Sequence, residues 1–155
     1  MTGESIGRYR IVEPLGESQW VEAYKATDGE GGTLVTLKIF KPPVLADPER
    51  MRRLREDANA VAALRHACIA PVVEFGRDGE REYAVSEYVS GEPLTDVLAR
   101  KRLRRRDAFR YALQVAEALH AAISVGVPHG ALKPSNVLID IHRRARLADF
   151  GFARL

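Results

Sequence analysis

Four short stretches of this 155-residue chain carry side chains that could do chemistry. In chain order they are Lys38, an acidic residue on the helix predicted next, the stretch HGALKPSN at residues 129–136, and Asp149 before a phenylalanine and a glycine. Lysine neutralises anionic oxygens, and carboxylate and amide oxygens are the ligands that Mg²⁺ accepts alongside phosphate. These residue types therefore suit the binding of a phosphate group and a hard metal ion.

The order of these stretches is more specific than any one of them. A lysine closing Val-Thr-Leu-Lys, a helical acid, HxxLKPxN and Asp-Phe-Gly resemble the ordered signature of the protein kinase family. The resemblance is to the N-terminal part of a bacterial-type serine/threonine kinase and covers nearly all of residues 8–155. It implies an α+β, protein-kinase-like fold with ATP and Mg²⁺ as cofactors.

Two parts are expected from this resemblance. Residues 8–89 would form a nucleotide-binding N-lobe, a five-stranded antiparallel sheet with one helix. Residues 90–155 would form the start of a mainly helical C-lobe that stops just after Asp-Phe-Gly. The local pattern agrees, because β-rich segments separated by turn residues predict strands at residues 8–16, 20–27, 33–40, 71–76 and 81–87.

The predicted helices follow from capping residues and apolar spacing. Asp47 and Pro48 are typical of a helix start, and the helix is expected to run to about Arg65. Two further helices are predicted at residues 94–101 and 107–125, and a two-stranded piece at residues 136–141 and 145–148. The second of these helices carries an apolar stripe: Phe109, Leu113, Ala116, Leu119 and Ile123.

The resemblance implies a role for each matching charged or polar residue. Lys38 would pair the α- and β-phosphates of ATP, and Lys133 would contact the γ-phosphate. Asn136 and Asp149 would hold Mg²⁺. His129 is expected to brace the Asp-Phe-Gly turn rather than to act as a base.

The acidic partner of Lys38 has two candidates, Glu56 and Asp57. Asp57 lies three residues after Leu54 and four before Val61, on the apolar face of the helix. Glu56 lies away from that face, so Asp57 is preferred. Aspartate is one methylene shorter than the glutamate usual in the family, so the ion pair with Lys38 is expected either to be long or to require the helix to move inward.

Other residues match the family's nucleotide pocket. The full set implied to contact the nucleotide is Leu15, Gly16, Ala23, Thr36, Lys38, Glu87, Val89 and Leu138, with Ser86 behind the pocket. For its apolar members, packing in the core is an equally good interpretation.

Several positions depart from the family pattern. Ala131 stands where the family has the aspartate that accepts the proton of the substrate hydroxyl, and Gly130 replaces an arginine. The phosphate-covering loop, normally G-x-G-x-x-G, keeps Gly16 but has Ser18 and Val21 at the other two glycine positions. Nucleotide binding and catalysis are both put in doubt.

Composition sets further limits. With 46% hydrophobic and 29% charged residues the chain has enough apolar content for a core, and its single cysteine, Cys68, excludes an intrachain disulfide and a cysteine zinc site. No signal peptide or membrane span is apparent, so a cytoplasmic location is expected. The basic run from Arg100 to Arg106 favours a solvated helix end over a nucleic-acid or acidic-lipid surface.

Three functions remain open from the sequence: an active ATP-dependent serine/threonine kinase, a pseudokinase that acts through protein contacts, and the front piece of a longer kinase-like protein. The substitutions at Ala131, Ser18 and Val21 favour the non-catalytic interpretation. The end of the chain four residues after Gly151 favours a truncated domain. A protein partner is expected on the exposed partial C-lobe, and no specific nucleic acid.

Overall fold

The computed structural model describes residues 1–29, 31–100, 102–152 and 155. The chain forms two compact units. The first contains Met1–Arg55, Val72–Tyr88 and Leu155, and the second contains Glu56–Pro71 and Val89–Arg154. Each unit has its own cluster of buried apolar side chains.

The first unit is built on one antiparallel sheet. Its strands are β1 (Ser5–Ile6), β2 (Tyr9–Glu17), β3 (Val21–Asp28), β4 (Leu34–Phe40), β5 (Val72–Asp78) and β6 (Arg81–Glu87), in the order β1-β2-β3-β4-β6-β5. The five predicted strands are confirmed within two residues at each end. The two-residue strand β1 was not predicted, because it is too short for alternation to be visible.

Alternation of side chains gives this sheet one apolar face. Val35, Leu37 and Ile39 on β4 point to the same side as Ala26 on β3 and Val85 on β6, their cross-strand neighbours. Among the described residues, the buried cluster that contains these side chains consists of Ile6, Tyr9, Ile11, Ala26, Val35, Leu37, Ile39, Tyr83 and Val85. The other face of β4 is therefore free to carry polar residues.

Two helices follow β4. A single turn, α1 (Pro42–Leu45), precedes α2 (Pro48–Ala62), whose first turn is capped by Asp47 Oδ1 accepting the Arg50 N–H at 3.0 Å. The Asp47 cap is confirmed, but the helix ends three residues before the predicted Arg65, which has a φ of +48° that no α-helix contains. Leu54 and Val61 are buried, which confirms the predicted apolar face of the helix, and Ala58 is buried with them.

The second unit combines helices with a small sheet. Its elements are β7 (Gly91–Pro93), α3 (Leu94–Arg100), α4 (Arg105–Ser124), a 3₁₀ turn (Pro134–Asn136), β8 (Val137–Asp140) and β9 (Ala145–Leu147), with the strands in the order β7-β8-β9. The hairpin β8–β9 was predicted, whereas β7 was not. Position 101, the last residue of the helix predicted at residues 94–101, lies outside the described residues.

Helix α4 buries a face different from its most apolar stripe. Tyr111, Ala118 and Ala122 are buried in the core of the second unit. Phe109 is 77% exposed, and Leu113, Ala116 and Ile123 are exposed as well. Of the predicted stripe, Leu119 alone packs against the core. No helix in the described residues is long and apolar enough to cross a bilayer.

Candidate functional site

The polar face of the first unit's sheet collects most of the residues predicted there. Lys38 lies directly opposite Ala23 on β3, and Gly16 on β2 lies opposite Ala23 in turn. Thr36, two residues before Lys38, lies opposite Ser86 on β6. Directly opposed residues and residues two apart share a face, so Gly16, Ala23, Thr36, Lys38 and Ser86 lie together on the side away from the apolar cluster.

Burial distinguishes the members of this face. Lys38 and Ser86 are buried although both are polar, and Ala23 and Thr36 are half-buried. Leu15 lies at an irregular point of the β2–β3 register and is 48% exposed, and Glu87 is exposed at the end of β6. The structure therefore brings five of the predicted residues to one face of the sheet, whereas Leu15 and Glu87 are not placed there, and their roles toward a nucleotide stay predictions.

The tip of the β2–β3 hairpin is closed by a side chain. The Ser18 Oγ atom accepts the N–H of Trp20 at 3.1 Å and the N–H of Val21 at 3.2 Å. The Ser18 N–H also donates to the Val21 carbonyl at 2.8 Å. These three backbone N–H groups belong to the loop at the predicted phosphate-covering position, and all three are already bonded within the loop. Serine hydroxyls commonly bond backbone groups two or three residues on, a signal that sequence reasoning had not used.

Neighbouring residues hold the same hairpin. Lys41 Nζ lies 2.9 Å from Glu17 Oε2, and the Lys41 N–H donates to the Trp20 carbonyl at 2.8 Å. The Arg50 guanidinium lies over the Trp20 ring, 5.8 Å from its centroid. The Lys41 side chain lowers the pKa of Glu17 through their hydrogen bond. The tip is thus anchored from the start of α1 and from α2.

In the second unit, His129 joins the stretch HGALKPSN to the turn at residues 149–151. Its Nε2 lies 2.7 Å from the Ala148 carbonyl oxygen, and its Nδ1 accepts the Ala131 N–H at 3.3 Å. The His129 ring is buried and packs edge-on against Phe150, with centroids 4.7 Å apart. The tautomer with a proton on Nε2 satisfies both bonds. The predicted bracing role of His129 is confirmed.

Asn136 is fixed beside the same turn. Its Nδ2 donates to the Ala131 carbonyl at 2.8 Å, and its backbone carbonyl accepts the Ala148 N–H at 2.9 Å. Asn136 and Asp149 are therefore brought to one end of the β8–β9 hairpin. The Nδ2 end of the amide is bonded within the loop, which leaves Oδ1 as the end with metal-ligand chemistry.

Asp149 has a φ of +68°, in the left-handed region that a non-glycine residue rarely occupies. Such a conformation costs free energy and is retained where the surrounding structure imposes it. Here the bonds of Ala148 to Asn136 and His129 fix the residue just before Asp149. The carboxylate is thus presented by a constrained backbone rather than by a flexible loop.

A family model for the protein kinase domain matches residues 9–155. This chain belongs to the protein kinase family. It is 35% identical over 154 residues to the serine/threonine-protein kinase PknA of Mycobacterium tuberculosis, covering 96% of this chain and 36% of PknA. It is also 35% identical over 152 residues to the serine/threonine-protein kinase pkn2 of Myxococcus xanthus, covering 96% of this chain and 18% of pkn2.

Solved structures agree with the sequence comparison. The crystal structure of the Mycobacterium tuberculosis PknI kinase domain matches with a TM-score of 0.83 at 28% identity, covering 97% of this chain and 61% of that domain. The bacterial-type serine/threonine kinase fold expected from the motifs is therefore confirmed. The chain spans about a third of PknA and about three fifths of the solved kinase domain.

The structure also shows where the remaining predicted site residues lie. Asp57 is half-buried and Glu56 is exposed on α2, in line with the apolar-face argument, and the pairing of Asp57 with Lys38 stays a prediction. Val89 is buried, and Leu138 on β8 is half-buried opposite Pro93. Lys133 is exposed in an extended conformation just before the 3₁₀ turn.

Members of the kinase family generally bind ATP with Mg²⁺, and the donor chemistry of this chain's second unit fits that ion. An amide oxygen from Asn136 and a carboxylate from Asp149 are hard oxygen ligands, and Mg²⁺ usually takes one or two protein ligands with phosphate and water completing its shell. Among the described residues, histidine, cysteine, aspartate and glutamate form no group of three suited to a metal ion.

Proposed function

We propose that this chain is a kinase-like binding module with impaired phosphoryl transfer. The observation that carries the proposal is Ala131, at the position where kinases have the aspartate that orients the substrate hydroxyl and accepts its proton. Ala131 takes part in the loop through its backbone, with its N–H bonded to His129 and its carbonyl to Asn136. Its methyl side chain can neither orient a hydroxyl nor take a proton.

No other side chain of HGALKPSN is suited to the missing task. None of residues 129–136 carries a carboxylate. His129 uses one ring nitrogen to donate to Ala148 and the other to accept from Ala131. To act as a base it would have to break one of these bonds in a buried position. General-base assistance contributes about 10²–10⁴-fold, so we expect transfer to be slowed at least by that factor.

We further propose that Mg-ATP binding is weakened but retained. Lys38 and Lys133 keep the cationic groups that meet phosphate oxygens in kinases, and Asn136 and Asp149 keep the metal ligands. Against this, the bonds from Ser18 to the hairpin N–H groups compete with a phosphate for the same donors. The expected consequence is a nucleotide affinity below that of a kinase with an intact glycine loop.

An active serine/threonine kinase is the alternative. It is favoured by the constrained presentation of Asp149 and by the retained Lys38, Lys133 and Asn136. Positioning and charge neutralisation supply most of the catalysis in phosphoryl transfer. A kinase of this kind would run slowly without its aspartate rather than not at all.

A protein partner on the partial C-lobe is also proposed. The exposed face of α4 supports it, because Phe109, Leu113 and Ile123 together present apolar area that soluble proteins usually cover. A cytoplasmic location is proposed with it, on the sequence argument alone.

Label transfer from γ-labelled ATP with Mg²⁺ to generic protein acceptors tests the proposal. We expect no transfer by the purified chain above an Asp149→Ala control, and transfer above that control would establish the active-kinase alternative. Ala131→Asp alone is expected not to restore protein phosphorylation, because Ser18 and Val21 remain in the phosphate loop. Robust transfer by this variant would show that Ala131 is the only defect.

Mg-ATP binding is measured separately by the melting temperature. A ligand at 100 times its dissociation constant stabilises the folded state by about 2.7 kcal/mol. A rise in melting temperature across millimolar Mg-ATP that is lost in Asp149→Ala supports retained binding. A flat melting temperature would remove the nucleotide-binding part of the proposal.

A further inference from the structure

A cavity of about 670 Å³ lies within the second unit, beside the α3–α4 connection and the turn between β8 and β9. We refer to it as the α3–α4 cavity. It is lined by apolar side chains that include Val97, Leu103, Tyr111 and Ile139. Ligand-binding sites usually have volumes of about 300–1,000 Å³, and the volume of this cavity falls in that range. None of the residues that line the cavity belongs to the candidate site described above, so the two sites share no residue.

Two of the acidic side chains that line the cavity are held by arginines. Asp107, 9% exposed, accepts Arg110 at 2.8 Å through Oδ1 and Arg143 at 2.7 Å through Oδ2. Glu92 pairs with Arg100 at 2.6 Å. These carboxylates are neutralised by neighbours within the second unit, so they contribute little negative charge to a ligand entering the cavity.

The third lining carboxylate belongs to Asp140, and it caps the turn. Its Oδ1 accepts the backbone N–H groups of His142 at 2.9 Å and Arg144 at 2.8 Å. The arginines at the cavity's rim are in the opposite situation. Among the residues that the structure describes, the side chains of Arg102 and Arg104 have no hydrogen-bond or ion-pair partner, and both are exposed. The cavity therefore has two exposed guanidinium groups that are available to a ligand.

An exposed apolar side chain also lines the cavity. It belongs to Ile141, which is 72% exposed. A ligand at this place would meet an apolar floor of Val97 and Ile139, an apolar edge at Ile141, and the unpaired Arg102 and Arg104. Such a combination suits a chain that alternates an apolar anchor with carboxylates.

We propose that the α3–α4 cavity is a docking site for an acidic peptide segment of a partner protein, with a leucine- or phenylalanine-like side chain in the cavity and carboxylates on Arg102 and Arg104. A polypeptide supplies both kinds of group within a few residues. A nucleic-acid backbone or an acidic lipid headgroup would satisfy the arginines but would leave the apolar floor unfilled. The inference deepens the proposed binding role and rests on it for its purpose, while its test measures peptide binding alone.

The experiment uses an immobilised array of short peptides that combine aspartate or glutamate with serine, leucine or phenylalanine. The full chain is applied, and the best peptides are labelled and titrated in solution. The test variant is Arg102→Ala with Arg104→Ala. Its matched control is Arg105→Ala with Arg106→Ala, which removes the same charge from the same basic run at exposed positions that do not line the cavity.

We expect the chain to select peptides whose binding requires both their acidic and their apolar residues. Loss of Arg102 and Arg104 should weaken their affinity by about tenfold, as for two partly exposed charge pairs, and affinity should fall as salt is raised. Loss of Arg105 and Arg106 should also change the dissociation constant, but the change in its logarithm should be less than half of that caused by loss of Arg102 and Arg104. Ile141→Ser should weaken apolar-anchored peptides and leave purely acidic ones unchanged.

Three outcomes would overturn the inference. One is an array on which no acidic–apolar peptide binds. Another is equal weakening by the two arginine pairs, which would describe a diffuse basic surface. The third is tighter binding of an RNA oligonucleotide or of phosphatidylserine vesicles than of any peptide, with the same dependence on Arg102 and Arg104. Phosphoryl transfer by the chain would overturn the proposed function and leave the peptide result standing.

Discussion

Removal of the Ser18 hydroxyl is expected to strengthen nucleotide binding while it weakens the hairpin. In the free protein the hydroxyl oxygen accepts two backbone N–H groups, those of Trp20 and Val21. A phosphate oxygen that uses the same donors must displace it. Because the hydroxyl and the phosphate compete for the same donors, the two hydrogen bonds that stabilise the loop without nucleotide must break when a nucleotide binds. Breaking them lowers the affinity for the nucleotide.

The magnitude follows from the two bonds. A hydrogen bond contributes about 0.5–1.5 kcal/mol net, so displacement of two costs about 1–3 kcal/mol, or about 5- to 150-fold in dissociation constant. Ser18 is exposed, which places the expected effect toward the lower end of this range. Ser18→Gly and Ser18→Ala should each bind Mg-ATP more tightly than the natural chain, glycine more so because it also restores backbone freedom. Their melting temperatures without nucleotide should be slightly lower.

Titration calorimetry with Mg-ATP measures the change, and Mg-tripolyphosphate in place of ATP isolates the phosphate contribution from that of adenine. Ser18→Thr is the matched control, since it keeps the hydroxyl and should bind like the natural chain. If both Ser18→Ala and Ser18→Gly bind no tighter than Ser18→Thr, the competition between hydroxyl and phosphate is not what limits affinity, and the reasoning is refuted.

Two further predictions concern stability. His129→Phe keeps a buried ring but leaves the Ala148 carbonyl without its donor, so urea denaturation should show a loss of about 1–3 kcal/mol, and an unchanged midpoint would contradict the bracing role. Gly91→Ala places a Cβ against the Ile139 carbonyl, a backbone atom that cannot rotate away. We expect it to cost about 1–3 kcal/mol in the same measurement, against almost no change for Gly31→Ala, whose Cβ meets no atom closer than 3.6 Å. Equal effects of the two glycine variants would refute the contact.

The sequence predicted the parts of the fold that rest on alternation and capping. In β4, Val35, Leu37 and Ile39 alternate with Thr36 and Lys38, and that pattern alone is enough to separate the apolar face from the face that carries the lysine. The start of α2 was likewise predicted from Asp47 as the N-cap and Pro48 as the first helical residue. Each of these features is local, and the structure does not alter them.

Long-range packing decided the features that the sequence did not predict. β7 is a three-residue strand that contains Gly91 and Pro93, residues that are depleted in strands, and it exists because β8 pairs with it. The buried face of α4 was missed because Ala118 and Ala122 are small, whereas the larger Phe109 dominates any count of hydrophobicity and is exposed. The Ser18 bonds depend on a local pattern that was present in the sequence but was not used.

The hydrogen bonds of Ala131 show why the side chain at this position has little effect on the loop around it. Both hydrogen bonds of Ala131 come from its backbone, so His129 and Asn136 are held equally well by any side chain that the position can accommodate. Fold stability therefore places little constraint on this residue, so aspartate and alanine would differ there in chemistry rather than in the hydrogen bonds of the loop. For the same reason Ala131→Asp should fold with an unchanged melting temperature. A failure of that variant to transfer phosphate would then locate the remaining defect outside the loop, in the phosphate-covering hairpin or in the surface that holds a substrate.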